Sequence, residues 1–98
     1  MSDKITIVVP VKAKPEYREK LKQKLQKLSC LSNQEEGNIC YVLHQVADNS
    51  EQFIIYEQWK NQKALDYHMN QDYLKTFLIE SKKMLLEEIH GTICYQVY

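Results

Sequence analysis

A glutamate lies between large apolar residues in segment 53–59, and a histidine follows nine residues after the tryptophan that ends this segment. The alternation of β-branched and aromatic residues predicts a strand that places Glu57 on the same face as Ile55 and Trp59. Because a buried, unpaired carboxylate costs several kcal/mol, Glu57 must have a partner, carry a proton or face a solvated cavity. We therefore expect a pocket beside this strand.

His68 is the leading candidate for acid/base chemistry, because an imidazole titrates at about pH 6.5. It shares a helical face with Ala64 and Leu65, and this face is expected to point toward the sheet. Glu57 is the second catalytic candidate, as the carboxylate that would orient the imidazole. The alternative is structural, with a Glu57–His68 hydrogen bond that only satisfies two buried polar groups.

Four aromatic side chains are candidates for contact with a small aromatic ligand. Trp59 offers a large wall and one indole donor, and Tyr41 and Tyr73 offer hydroxyl groups that could bind a substrate oxygen. Phe77 is expected to line or cap the pocket. For each of them, packing in the hydrophobic core is the alternative interpretation.

The elements that must position these residues follow from hydrophobic periodicity. Alternation with period two predicts four strands, at residues 4–13, 39–46, 52–59 and 89–98. Apolar residues at three- and four-residue spacing predict one helix from residue 16 and a second, after an Asn61 N-cap, that is broken in two near residues 70–72. This order predicts one α+β domain over residues 1–98, with a ferredoxin-like split β-α-β subunit and a four-stranded antiparallel sheet.

Both faces of this sheet are expected to be apolar. Helices can cover only one of them, yet the other face would carry Cys40, Val42, Ile54 and Tyr56. An apolar sheet face requires a cover, and a second copy of the chain is the most economical one. We therefore expect a symmetric homodimer in which two sheets face each other.

Composition narrows the class of protein and its compartment. The 98 residues carry 13 basic and 13 acidic side chains, which gives no net field to attract nucleic acid or an anionic membrane. Three cysteines without a CxxC pair disfavour a disulfide framework or a zinc site and favour the reducing cytoplasm. The apolar run near the N-terminus is too short for a signal peptide, and no stretch approaches the about 18 apolar residues of a membrane span.

Several short motifs of the chain are typical of one known family. They are Lys14-Pro15, Glu36-Gly37, Tyr41, Leu43-His44, the alternating Phe53, Ile55, Glu57 and Trp59, and Ala64-Leu65 with His68. Together these motifs resemble the antibiotic biosynthesis monooxygenase domain. The resemblance covers almost the whole chain and implies a dimeric α+β barrel of ferredoxin-like subunits. One departure is Glu16, where the family commonly has glycine, and it is expected to affect only the helix entry.

The resemblance implies cofactor-independent oxygenation of a quinol or a related phenolic substrate. In such chemistry the protein holds an electron-rich ring in an apolar pocket and removes a proton, and the resulting anion transfers an electron to dioxygen. No metal or flavin is expected, and the chain has neither a glycine-rich dinucleotide motif nor an HExxH cluster.

Three other functions are compatible with the same fold. One is an isomerase of a small oxygenated metabolite. If that metabolite is phosphorylated, the site would need a fixed cationic cluster, for which Lys12 and Lys60 are the candidates and Arg18 the only arginine. Haem binding is disfavoured, because segment 73–88 has no histidine and segment 4–13 has no asparagine. A dimer that binds a ligand without catalysis is the remaining alternative.

Overall fold

A computed structural model describes residues 3–98 of the chain, so the start of the proposed single domain, Met1 and Ser2, lies outside the described residues. The described part folds as a four-stranded sheet with helices on one face, which confirms the predicted α+β ferredoxin-like class. The strands are β1 (Ile5–Lys12), β2 (Asn38–Val46), β3 (Asn49–Trp59) and β4 (Thr92–Cys94). The helices are α1 (Arg18–Asn33), α2 (Gln62–Met69) and α3 (Asp72–Ser81), and short 3-10 turns span Pro15–Tyr17 and Lys82–Met84.

The strands are ordered β2-β3-β1-β4, and all neighbours are antiparallel. This register places Ile7, Glu57 and Tyr41 side by side across three strands. The same face carries the alternating apolar residues of β1 and β3, and Leu21 and Leu25 of α1 belong to the same buried core. Glu57 therefore lies in the middle of the covered face of the sheet.

The helices begin and end where local chemistry predicts. The Asn61 side chain caps α2, because its Oδ1 accepts a hydrogen bond from the Ala64 backbone N–H at 2.9 Å. The break between α2 and α3 is short, and the backbone N–H of Gln71 donates to the carbonyl of His68 at 3.1 Å. This tight junction keeps His68, at the end of α2, close to Tyr73, at the start of α3.

The last strand is much shorter than expected. Residues 89–98 were predicted to form a strand, whereas only Thr92–Cys94 pair with β1, opposite Thr6 to Val8. In this antiparallel register Tyr95 comes opposite Ile5, where β1 begins, so the residues after Tyr95 extend beyond the start of β1. On the other side of the pairing lies Pro10, which has no N–H to donate.

The second face of the sheet is open and partly apolar. Val42 is 44% exposed and Tyr56 is 39% exposed, although both lie within long strands. Gln58 adds a polar element, since its side-chain amide donates to Thr6 Oγ1 at 3.2 Å and to the Tyr56 hydroxyl at 3.0 Å. Within residues 3–98, none of the helices is both long and apolar enough to cross a membrane.

Candidate active site

A cavity of about 390 Å³ lies between the covered face of the sheet, α2 and α3. Its wall is mainly apolar, and two of its lining residues, Met69 and Ile93, are exposed. Such a volume is typical of pockets that enclose a small organic molecule. The apolar wall includes Val9, Ile55, Leu65, Leu74, Phe77 and Leu78, and the polar side chains are Tyr41, Glu57, His68, Gln62 and Asp66.

His68 is held by two neighbouring side chains, Trp59 and Glu35. Its side chain is almost fully enclosed, with the residue only 2% exposed, although it lines the cavity. The Trp59 indole stacks on the imidazole, with ring centroids 4.3 Å apart and an interplanar angle of 29°. On the edge of the ring, Nδ1 lies 2.6 Å from Oε2 of Glu35.

Glu35 is a site residue that the sequence did not reveal. It lies in the turn between α1 and β2, where its backbone N–H donates to Ser32 and its carbonyl accepts from Asn38. The turn packs against α2 so closely that a Cβ added to Gly37 would lie 2.4 Å from the Ala64 Cβ, which only glycine permits. His68 lies one helical turn after Ala64, so this packing brings Glu35 to the imidazole.

The Glu35 carboxylate belongs to a small polar cluster behind His68. Its side chain is 7% exposed, and its Oε2 also accepts a hydrogen bond from the Tyr73 hydroxyl. That hydroxyl lies 3.3 Å from Oγ of the fully buried Ser32 and 3.4 Å from His68 Nδ1. Burial and the Glu35 hydrogen bond raise the pKa of Tyr73 above the usual tyrosine range, so this phenol keeps its proton.

Glu57 has a different partner from the one expected. We predicted a Glu57–His68 hydrogen bond, but Glu57 Oε1 instead accepts from Trp59 Nε1–H at 2.8 Å. Both residues belong to β3 and lie two positions apart on the same face, so the indole reaches the carboxylate of its own strand. Burial raises the pKa of the Glu57 carboxyl, and the Trp59 hydrogen bond and nearby His68 act in the opposite direction.

Some side-chain polar atoms of the described residues have no hydrogen-bond partner, and they are of two kinds. In the described part of the chain, the buried side-chain oxygens without a hydrogen-bond partner are Glu35 Oε1 and Ser81 Oγ. Glu57 Oε2 and His68 Nε2 also have no hydrogen-bond partner among residues 3–98, but they are not enclosed in this way. Both residues line the same cavity, so these two atoms are available to a ligand there.

The candidate residues divide into those that line the cavity and those that lie behind its wall. His68, Glu57, Tyr41 and Phe77 line it. Trp59 is fully buried behind the wall, and Tyr73 faces the polar cluster and the outer surface instead. Burial raises the pKa of Tyr41 well above its usual range, so its hydroxyl is a neutral group in this wall.

The cavity wall carries acidic side chains and no lysine or arginine among the described residues. No lysine or arginine is among the lining residues of the described chain, and its charged groups are carboxyls. Lys12 instead pairs with Glu87 at 3.5 Å, and Lys60 lines a separate outer groove. Residues 3–98 also contain no group of three or more histidine, cysteine or acidic side chains arranged to hold a metal ion.

The fold and the site together define a class of protein. It has a ferredoxin-like fold and a mostly apolar cavity that an enclosed imidazole lines. The family model for antibiotic biosynthesis monooxygenase matches residues 4–78, and the chain belongs to this family.

Individual proteins are similar to this chain over most of its length. A Bacillus subtilis (strain 168) protein named "Putative monooxygenase YcnE" is 31% identical over 81 residues, which cover 83% of this chain and 85% of that protein. PA3566 from Pseudomonas aeruginosa has a similar crystal structure, with a TM-score of 0.92, 28% identity, and coverage of 100% of this chain and 98% of that one. A structure from Methanosarcina mazei Go1 has a TM-score of 0.88 and 27% identity, and covers 95% and 92% of the two chains.

Proposed function

We propose that this protein is a monooxygenase that needs no cofactor and acts on a quinol or a related phenolic compound. The observation that carries the proposal is the mostly apolar cavity of about 390 Å³, where two buried residues, His68 and Glu57, each have an atom without a hydrogen-bond partner, Nε2 and Oε2. Membership of the antibiotic biosynthesis monooxygenase family supports the reaction class. The same cavity disfavours an unselective, purely apolar binding pocket, because two buried ionisable groups line it.

The proposed reaction begins with proton transfer from the substrate hydroxyl to His68 Nε2. The phenolate that results is a stronger reductant than the neutral phenol, and it transfers an electron to dioxygen. For a quinol, one oxygen atom ends as a new carbonyl or hydroxyl oxygen of a hydroxyquinone and the other leaves as water, and the substrate supplies all four electrons. The apolar wall, including Tyr41 and Phe77, excludes water and holds the aromatic ring.

Oxygen consumption tests this proposal directly. Pure protein, treated with a chelator, is mixed with a panel of reduced quinols, and oxygen uptake is compared with the autoxidation of each quinol alone. We expect at least one quinol to be consumed faster with the protein, with one atom of labelled dioxygen in the product. Heat-unfolded protein is the control for catalysis by trace metal.

The same experiment can also refute the proposal. If no quinol or phenol in the panel is consumed faster than in the protein-free control, the monooxygenase proposal is wrong and the ligand-binding or isomerase function becomes the better hypothesis. An isomerase of a phosphorylated metabolite gains no support from the site, since the cavity wall of the described residues carries carboxyls and no cation that would bind phosphate.

We also propose that the chain acts as a homodimer through the open face of its sheet. The exposed Val42 and Tyr56, with Cys40 and Ile54 beside them, form an apolar surface on strands whose backbone is already paired. A second sheet of the same composition would cover this surface. A reducing cytoplasm, the proposed location, fits the free thiols of the three cysteines.

Sedimentation at micromolar protein concentration tests the dimer. We expect twice the mass of one chain for the wild type, and a shift toward the monomer for Val42→Glu, because a charge would be buried between the sheets. Gln26→Glu, which adds a negative charge at an exposed position of α1, is the matched control and should remain dimeric. A wild-type monomer under these conditions would contradict the proposed interface.

A further inference from the structure

Among residues 3–98, Glu35 is the only residue whose carboxylate is hydrogen-bonded to Nδ1 of His68. It does not line the apolar cavity, so it cannot contact a substrate held there. It lies instead on the opposite edge of the imidazole from that cavity and borders an outer groove. A buried carboxylate at this point requires an explanation, since its burial is costly unless it is paired.

We propose that Glu35 is the positioning residue that fixes the tautomer of His68. An ionised carboxylate only accepts hydrogen bonds, so the imidazole nitrogen 2.6 Å away must donate its proton to it. In neutral His68 the proton then resides on Nδ1, and the lone pair resides on Nε2, which faces the cavity. This inference rests on the proposed function, in which His68 Nε2 is the base.

Tyr73, which also contacts the Ser32 hydroxyl, holds the carboxylate in place. The Tyr73 hydroxyl donates to the same oxygen, Oε2, that lies against His68 Nδ1. The phenol keeps its proton and is itself in contact with the buried Ser32 hydroxyl, so it donates to Glu35 and does not compete for the imidazole proton. The Tyr73 hydroxyl and His68 Nδ1–H thus both donate to Glu35 Oε2, which fixes this oxygen against the Nδ1 edge of the imidazole.

Only one proton moves in the proposed proton-transfer step. The substrate O–H proton moves to Nε2, which converts neutral His68 to imidazolium, and the bonding electrons stay on the substrate oxygen as a phenolate. The Nδ1 proton remains on the ring throughout and continues to donate to Glu35. The buried carboxylate therefore stabilises the imidazolium that forms, while Glu57, which is hydrogen-bonded to Trp59, does not orient the ring.

Nitrogen NMR of the protein without substrate is the first test. Long-range ¹H–¹⁵N correlation spectra distinguish the two neutral tautomers, and the chain has only three histidines, so loss of one pattern in His68→Asn assigns the signal. We expect His68 to carry its proton on Nδ1 in the wild type. A proton on Nε2 at neutral pH would overturn the proposal, whether or not any quinol is turned over.

Variants supply the second test. In Glu35→Gln the amide can either donate or accept, so we expect the Nδ1–H tautomer to lose its dominance and kcat to fall at least about tenfold, with little change in KM. Tyr73→Phe should shift the tautomer less, because Glu35 keeps its charge.

The matched control is Glu36→Gln, which removes an exposed carboxylate from the same turn and should change neither the tautomer nor the rate. An unchanged tautomer in folded Glu35→Gln would refute the positioning role. A changed tautomer in a protein that consumes no quinol would support the role of Glu35 and refute only the proposed reaction.

Discussion

Replacing His68 with Asn is expected to lower kcat by about 10²–10⁴-fold while the chain stays folded. The asparagine amide nitrogen can occupy the place of Nδ1 and donate to Glu35, but no atom replaces Nε2, which faces the cavity. His68→Ala removes both nitrogens and leaves Glu35 buried without this partner, so it should lower kcat equally and also cost roughly 3–5 kcal/mol of stability. Oxygen uptake and chemical unfolding of the two variants separate these effects.

Leu25→Ala is the control for a change in the scaffold alone. Leu25 is fully buried in α1 and does not line the cavity. Its truncation should cost roughly 2–5 kcal/mol of stability and leave kcat and KM of the folded protein unchanged. If folded His68→Asn retains wild-type kcat, proton abstraction must be assigned to another group, such as Glu57 or water.

The elements of this fold could be predicted because their signals are local. Period-two alternation in β1 and β3 and the three- and four-residue spacing in α1 each depend on neighbouring residues only. The predicted length of the last strand was wrong because it depends on residues far away in the sequence. Whether residues 89–98 pair depends on where β1 begins and on Pro10, and both lie about eighty residues earlier in the chain.

The site was predictable in part for the same reason. Glu57 is conspicuous in the sequence because it interrupts an apolar strand, and His68 because it lies on the apolar face of a helix. Glu35 has no such signal, because it lies in a polar turn whose contact with α2 depends on the close approach of Gly37 to Ala64. A glycine after two glutamates indicates a tight turn, but not which helix packs against it.

The partner of Glu57 illustrates a second limit. Residues two apart on a strand share a face, so Trp59 was correctly expected beside Glu57, yet its indole donor was considered for a ligand and not for Glu57. One donor in the strand was therefore enough to satisfy Glu57, and His68 was free to pair elsewhere. A single sequence does not show which of two nearby carboxylates an imidazole selects.

Glu57→Gln is expected to make the protein relatively more stable as pH rises. The ordinary pKa of this carboxyl is 4.5, and burial raises it in the folded protein. Between the two pKa values the folded chain binds more protons than the unfolded chain, so the free energy of unfolding falls with increasing pH, by up to about 1.4 kcal/mol per pH unit. Glutamine is neutral at every pH and removes this dependence.

The shape of the site should survive the substitution, because the glutamine Oε1 can still accept from Trp59 Nε1–H. Urea unfolding at fixed protein concentration, at several pH values from 4 to 9, gives the stability difference between wild type and variant. Glu88→Gln, which changes an exposed carboxyl, should give a difference that hardly varies with pH. Since all other titrating groups are common to wild type and Glu57→Gln, a growing advantage of the variant at high pH reports the cost of ionising Glu57 inside the cavity. Parallel curves would mean that Glu57 ionises as easily in the folded chain as in the unfolded one, and its oxygen would then face the ligand as an anion throughout the neutral range.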